Sequence, residues 1–305
     1  MIEWLLAGDP SIRWQVQRDL LDVPESDWRA ERAKIAAQGW GAELLGHCGP
    51  ADGLWDGGYY TPKWTSTHYT LQLLSLLGAL PELRIEHGVE ALLARGVLAD
   101  GGVIYNRFGK LGETCETGML LQIAASFGVV DERVERMVGY LEREQMTDGG
   151  WNCQRRRGAT HSSFHTTICV LEGLAAYRAG GGARNDMVLA LELRGRAFLA
   201  VHRLFRSHRT GEVVKEALTR FAFPYWWHYD VLRGLDYLQS AHAERDEGFG
   251  DGIELVRSRR RGNGTWTRQN RYAGKEWLEM ERTGDSSRWN TLRALRVLRW
   301  WERVS

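Results

Sequence analysis

Residues 148–177 read DGGWNCQRRRGATHSSFHTTICVLEGLAAY: a glycine-rich turn, a polar stretch that can cap a helix, then an apolar run at helical spacing. The same order recurs on both sides. Upstream stand DGLWDGGYYTPKWTSTHYTLQLLSLLGAL (52–80) and DGGVIYNRFGKLGETCETGMLLQIAASFG (100–128); downstream stand FAFPYWWHYDVLRGLDYLQSA (221–241) and, split by a gap, GNGTWTRQ (262–269) with SSRWNTLRALRVLRWW (286–301). Between the apolar runs lie amphipathic segments such as RIEHGVEALLARG (84–96) and DERVERMVGYLEREQ (131–145), whose charges alternate with apolar residues three and four apart. Apolar helices alternating with amphipathic ones, at a repeat of roughly 45 to 65 residues, predict helix pairs closed into a ring. No stretch alternates at period two, so the expected fold is all-α: an α/α toroid, a barrel of inner and outer helices.

The outward reading agrees. The 305 residues are 43% hydrophobic and 26% charged, enough for a substantial core, and one closed ring can use the whole chain, 1–305, as a single domain. DPSIRWQVQRDLL (9–21) reads as an amino-terminal capping helix, with Asp9 as N-cap and Pro10 at the first helical position. Residues 245–275, containing RSRRRGNG, are the expected long surface excursion. A net charge of +1 gives no global attraction to nucleic acid. With no basic leader and no run of about twenty apolar residues, a transmembrane segment is not expected and a cytoplasmic location is. The cysteines are then reduced thiols or metal ligands: Cys169 sits on an apolar helix face, Cys48 in a turn, and the informative pair is Cys115 and Cys153.

A ring brings the starts of its inner helices to one end, where helix dipoles favour anions and thiolates. At those starts stand His68, Glu113 with Cys115, and His165, with Cys153 and His161 just upstream. Thiolate, imidazole and carboxylate are the donors zinc takes in a tetrahedron. Taken singly, each of these residues is more often a capping or packing residue.

NRFGKLGETCETGMLL (106–121) and SSFHTTICVLEGLA (162–175) together resemble the zinc region of the protein prenyltransferase catalytic subunit, within the superfamily that includes the squalene cyclases. The resemblance implies that Glu113, Cys115 and His165 hold Zn2+, and that Arg107 and Lys110 orient an anionic head group, with His68 lining the same mouth. Cys153, which has no counterpart in that motif, either completes a Glu113, Cys115, Cys153, His165 tetrahedron or replaces Glu113 as ligand and leaves the fourth place to water. Two departures stand out: Glu113 replaces an Asp, and Glu116 replaces a Tyr that helps hold diphosphate, where a carboxylate repels it. The Asp-x-Asp-Asp acid of the cyclases is missing.

The aromatic stretch around Tyr225, Trp226 and Trp227 is expected either to line an apolar cavity or to pack between helices. Arg288, with Asn290 and Arg293, starts the last inner helix on the candidate rim. Arginine runs at 155–157 and 257–261 are expected to be mostly solvated. The expected function is a zinc-dependent, prenyltransferase-like or terpenoid-cyclase-like enzyme that activates a thiol or water. Its partner would be a hydrophobic or isoprenoid-like molecule, or a thiol-bearing substrate; a helper subunit is left open. The alternatives are a thioether-forming cyclase of lanthipeptide-cyclase type, and a non-catalytic binding protein stapled by zinc.

Overall fold

The computed structural model describes residues 1–106 and 110–303, so Arg107 lies outside the described residues. Four amino-terminal helices, α1 (Ile2–Leu6), α2 (Pro10–Asp19), α3 (Glu25–Ala33) and α4 (Gly39–Gly46), precede the repeats. The repeats give α5 (Thr67–Leu77) with α6 (Leu83–Gly96), α7 (Thr114–Ser126) with α8 (Glu132–Glu144), and α9 (Phe164–Ala179) with α10 (Asn185–Val201). They end in α11 (Val231–Ser240) with α12 (Gly250–Ser258), and α13 (Arg288–Glu302). Two short antiparallel strands, Trp266–Thr267 and Ser286–Ser287, lead into α13.

Neighbour contacts run α5 to α7, α9, α11 and α13, then to α2, α4 and back to α5. The protein is an α/α toroid. The even-numbered helices α6 to α12 pack outside their partners, as their charged outer faces require. The segment expected to cap the ring is instead part of it: Asp9 does cap α2, accepting from the Ser11 amide at 2.9 Å, but α2 lies between α13 and α4. Inner helices α7 and α9 approach most closely because glycines face each other. A Cβ at Gly118 would stand 2.7 Å from the Cys169 carbonyl oxygen, and one at Gly173 would meet the carbonyl of Gly118.

The recurring turn has a structural reason. The Trp151 amide donates to Thr167 Oγ1 in the first turn of α9 (3.0 Å), and its indole N–H donates to the Leu141 carbonyl in α8 (2.8 Å). Trp55 does the same with Thr67 and Leu44, and Trp266 with Thr291 and Val256; Val103 keeps the amide bond, to Thr117. One residue thus satisfies an orphan carbonyl of one helix and anchors the start of the next, about 1 kcal/mol per bond.

The expected surface excursion differs. Its first part is helix α12, and residues beyond 268 cross the ring. Trp64 and Lys275 exchange backbone bonds through Lys63, Trp277 stacks on His47 with centroids 4.1 Å apart, and Tyr272 stacks on His228 at 3.5 Å. Aromatic stacking contacts, which a charge-rich loop sequence hides, hold this arm down.

Candidate functional site at the amino-terminal rim of the inner helices

The starts of α5, α7 and α9 do share one rim, and the structure sorts the expected residues among several tasks. Cys115 and Cys153 meet: the Cys115 amide donates to Cys153 Sγ at 3.1 Å, and Thr166 Oγ1 donates to the same sulfur at 3.4 Å. The Cys115 thiol also faces Cys153, which pulls the Cys153 pKa below its ordinary value, while donation to Cys153 and burial push Cys115 well up. Cys153 therefore takes the negative charge first, at the positive end of α7.

Glu113 and His165 do not join the thiols. Glu113, the N-cap of α7, pairs with Arg157 at 2.7 Å. His165 accepts the Tyr229 amide hydrogen on Nδ1 at 2.8 Å, and burial holds its pKa down, to about 4. A neutral imidazole with Nδ1 accepting carries its proton on Nε2, so the remaining nitrogen is a donor rather than a metal ligand. Among the described residues, no three His, Cys, Asp or Glu side chains stand together as a metal would need. The four donors as arranged do not fit a tetrahedral zinc ion; two thiols alone are brought together.

The anion-binding set is dispersed as well. His68 is fully buried and burial pushes it down to about 3, so it carries no charge with which to hold an anion. Its Nδ1 lies 3.4 Å from the Tyr105 hydroxyl and its Nε2 has no partner. Lys110 is solvent-exposed. Arg288 donates to the Trp4 carbonyl at 3.0 Å and covers the Trp4 ring, fastening α1 to α13. Asn290 and Arg293 are buried and bonded within the core.

Nor do the three expected cavity residues line one cavity. Tyr225 lies against the guanidinium groups of Arg233 and Arg293, 4.1 and 5.0 Å from its ring centre, and Trp226 stacks on Trp64 at 5.1 Å. Both are core residues; Trp227 alone is partly exposed at the rim, stacked on His228 at 3.7 Å.

The sequence marks Glu116 only as a departure that repels diphosphate; the structure gives it a different setting. Glu116, one residue past Cys115, is partly exposed, and its Oε2 accepts from the Tyr105 amide at 3.3 Å. Burial pushes its carboxyl up to about 8, with the charges of Glu113 and Cys153 adding to the shift. Tyr60, Tyr69 and Tyr105 surround it closely enough to feel its charge, and Tyr60 stacks on Tyr105 with centroids 5.5 Å apart. Over this aromatic wall lies Lys63, whose Nζ is 5.7, 5.5 and 5.5 Å from the ring centres of Tyr60, Trp64 and Trp227. The rings hold a cation already. A Tyr-to-Glu departure beside clustered aromatics was the available signal.

No family model matches the chain, and no curated protein matches it significantly. Among solved structures it is similar to a protein from Actinoplanes, at 20% identity and TM-score 0.46, over 96% of this chain and 90% of that one. It is also similar to the type II terpene cyclase MstE from Scytonema, at 16% identity and TM-score 0.36, over 80% and 82% of the two chains. A variant of that cyclase holding its product merosterolic acid A gives 16% and 0.35, over 78% and 81%. What defines the class of this protein is its own ring of helices: a helical toroid with an acid, two thiols and an aromatic wall at one rim.

Proposed function

We propose that the rim is the active site of a terpenoid-cyclase-like enzyme, in which Glu116 protonates a hydrophobic, unsaturated isoprenoid substrate. The observation that carries this reading is a carboxyl held neutral to about pH 8 beside rings that already bind the Lys63 ammonium. The carboxyl O–H gives its proton to one carbon of an electron-rich double bond, whose π pair forms the new C–H bond. The resulting carbocation is attacked by a second double bond of the same molecule, closing a ring. The final cation loses a proton to the Glu116 carboxylate, so substrate and product are isomers and the acid is restored.

Burial makes Glu116 a reluctant acid toward water, yet the immediate product here is a carboxylate beside a cation. Their attraction in a poorly solvated site offsets the same desolvation that raised the pKa. The faces of Tyr60, Tyr105 and Trp227 take over the cation once Lys63, on an exposed turn, swings out.

The adjacent thiols favour a second reading. Cys153, with its lowered pKa, would act as a metal-free thiolate toward a prenyl diphosphate, its sulfur pair forming the C–S bond as the C–O bond breaks and diphosphate leaves to solvent, the thiol activation that the resemblance attributes to zinc.

Incubation with squalene, oxidosqualene and shorter polyenes in D2O tests the first reading. An isomeric product carrying deuterium at the newly protonated carbon is expected, with Glu116→Gln slowing its formation by about a hundredfold or more and Cys153→Ser leaving it intact. A product that forms equally well without Glu116, or none from any polyene, overturns it; a prenyl adduct on Cys153 would support the second.

A further inference from the structure

A second cavity, of about 530 Å³, opens on the other side of His165, between the start of α9, the end of α10 and residues 207–218. Its size suits a small organic molecule. Its floor is apolar: Phe164, Phe198 and Leu218 are each less than a tenth exposed. Its wall is basic and its hydrogen-bond directions are fixed. His202 donates from Nδ1 to the Phe198 carbonyl at 2.8 Å, so its Nε2 accepts, and the nitrogen facing it at 3.0 Å is His208 Nδ1. His208 must then donate from Nδ1, which leaves its Nε2 without a partner.

Two cations border the opening. Arg209 and Lys215 line the cavity, and among the described residues neither is in an ion pair. Lys215 is near enough to His165 for its charge to help hold that imidazole neutral. The one carboxylate in the wall, Asp148, keeps its charge but is turned to Ser162, accepting from its amide at 2.8 Å and its hydroxyl at 2.5 Å rather than pairing with either cation. The sixteen-residue helix α9 begins at the same place, and its N-cap Ser163 spends no side-chain bond on it. An apolar floor under two cations that outnumber the one lining carboxylate and are not paired with it matches a molecule with an apolar tail and an anionic head.

We infer that this cavity is a binding site for a single-chain anionic amphiphile, its tail on Phe164, Phe198 and Leu218 and its carboxylate or phosphate head at Arg209 and Lys215. The site stands apart from Glu116 and does not depend on the chemistry proposed there.

Calorimetric titration with monomeric decanoate, decyl phosphate and decanol tests it. Both anions are expected to bind at least about tenfold more tightly than decanol. The exposed double change Arg209→Gln with Lys215→Gln should bring them to the level of decanol without altering decanol itself, and Glu116→Gln should change nothing. Val214→Trp, at a lining position 44% exposed and so tolerant of a larger side chain, should block all three ligands. Equal binding of alcohol and acid, anion binding that survives the double change, or capture of anionic vesicles without binding of the monomers would each overturn the inference.

Discussion

The two halves of the ring interior treat charge in opposite ways. On the α11–α13 side every buried guanidinium has a carboxylate opposite: Arg233 meets Glu172 at 2.6 Å, Arg293 meets Asp236 at 3.2 Å, and Arg296 bridges Asp236 and Asp19 at 2.5 and 3.2 Å. On the α5–α7 side Glu116 is in no ion pair among the described residues, and two thiols face each other with only one of them inclined to lose its proton. Paired charges fix helices against one another; unpaired ones store chemical potential. That difference, rather than residue type, separates structural arginines such as Arg293 from functional candidates such as Glu116.

Breaking a pair should cost most. Arg233→Met leaves Glu172 facing a nearly closed interior and removes bonds to the Trp226 and His228 carbonyls. A loss of about 4 kcal/mol in urea unfolding is expected, with rim chemistry affected only through folding. A loss below about 1 kcal/mol would make the pair ornamental and erase the contrast between the halves.

The pH dependence of stability sharpens the contrast by sign. Glu116 binds its proton more tightly folded than unfolded, so its contribution is full below the ordinary 4.5 and is lost as pH rises through about 8. Asp19 behaves oppositely. Burial pushes it up, but its bonds from Arg18 and the charge of Arg296 outweigh this and hold it below 3.8, so its contribution is lost only as pH falls through that lower value. The imidazoles of His68, His165 and His228, which burial holds down to about 3 or 4, also act on the acid side, below 6.5. Asp230 and Glu281, which burial also pushes up, share the alkaline limb with Glu116, and Glu116→Gln should remove on the order of 3 kcal/mol of it between pH 5 and 9, after discounting for water at the rim. An unchanged limb in the Gln variant would mean that the carboxyl is ionised at neutral pH and cannot be the proton donor.

How much of this was legible in the sequence follows from what a repeat encodes. The turn tryptophans and first-turn threonines recur because one local bond pattern builds each unit, so the ring and its shared rim could be read off directly. Side-chain direction at the rim is not local. Successive helical positions turn by about 100°, so Glu113 swings to Arg157, Cys115 to Cys153, and Glu116 toward the tyrosines. His165 was lost to the metal set by an amide, Tyr229, from another repeat. The arm beyond residue 268 escaped notice because Tyr272 and Trp277 are scattered among charges, and only the folded ring gives them partners.

The smallest effect bears on the thiols and on zinc together. If Cys153 owes its reactivity to the Cys115 thiol, the Cys115 amide and Thr166, iodoacetamide should label it ahead of Cys115 and Cys169, whose pKa values are pushed up, the latter to about 12. Cys115→Ala removes one of these three donors but keeps the amide, so labelling of Cys153 should slow by only about threefold near neutral pH. A strong chelator should leave both rates unchanged, because two thiols without His165 or Glu113 make a poor zinc site. Labelling that accelerates on chelation, with about one zinc released per chain, would mean that His165 gives up the Tyr229 amide when metal is present, and the rim would then be a metal centre rather than an acid–thiol pair.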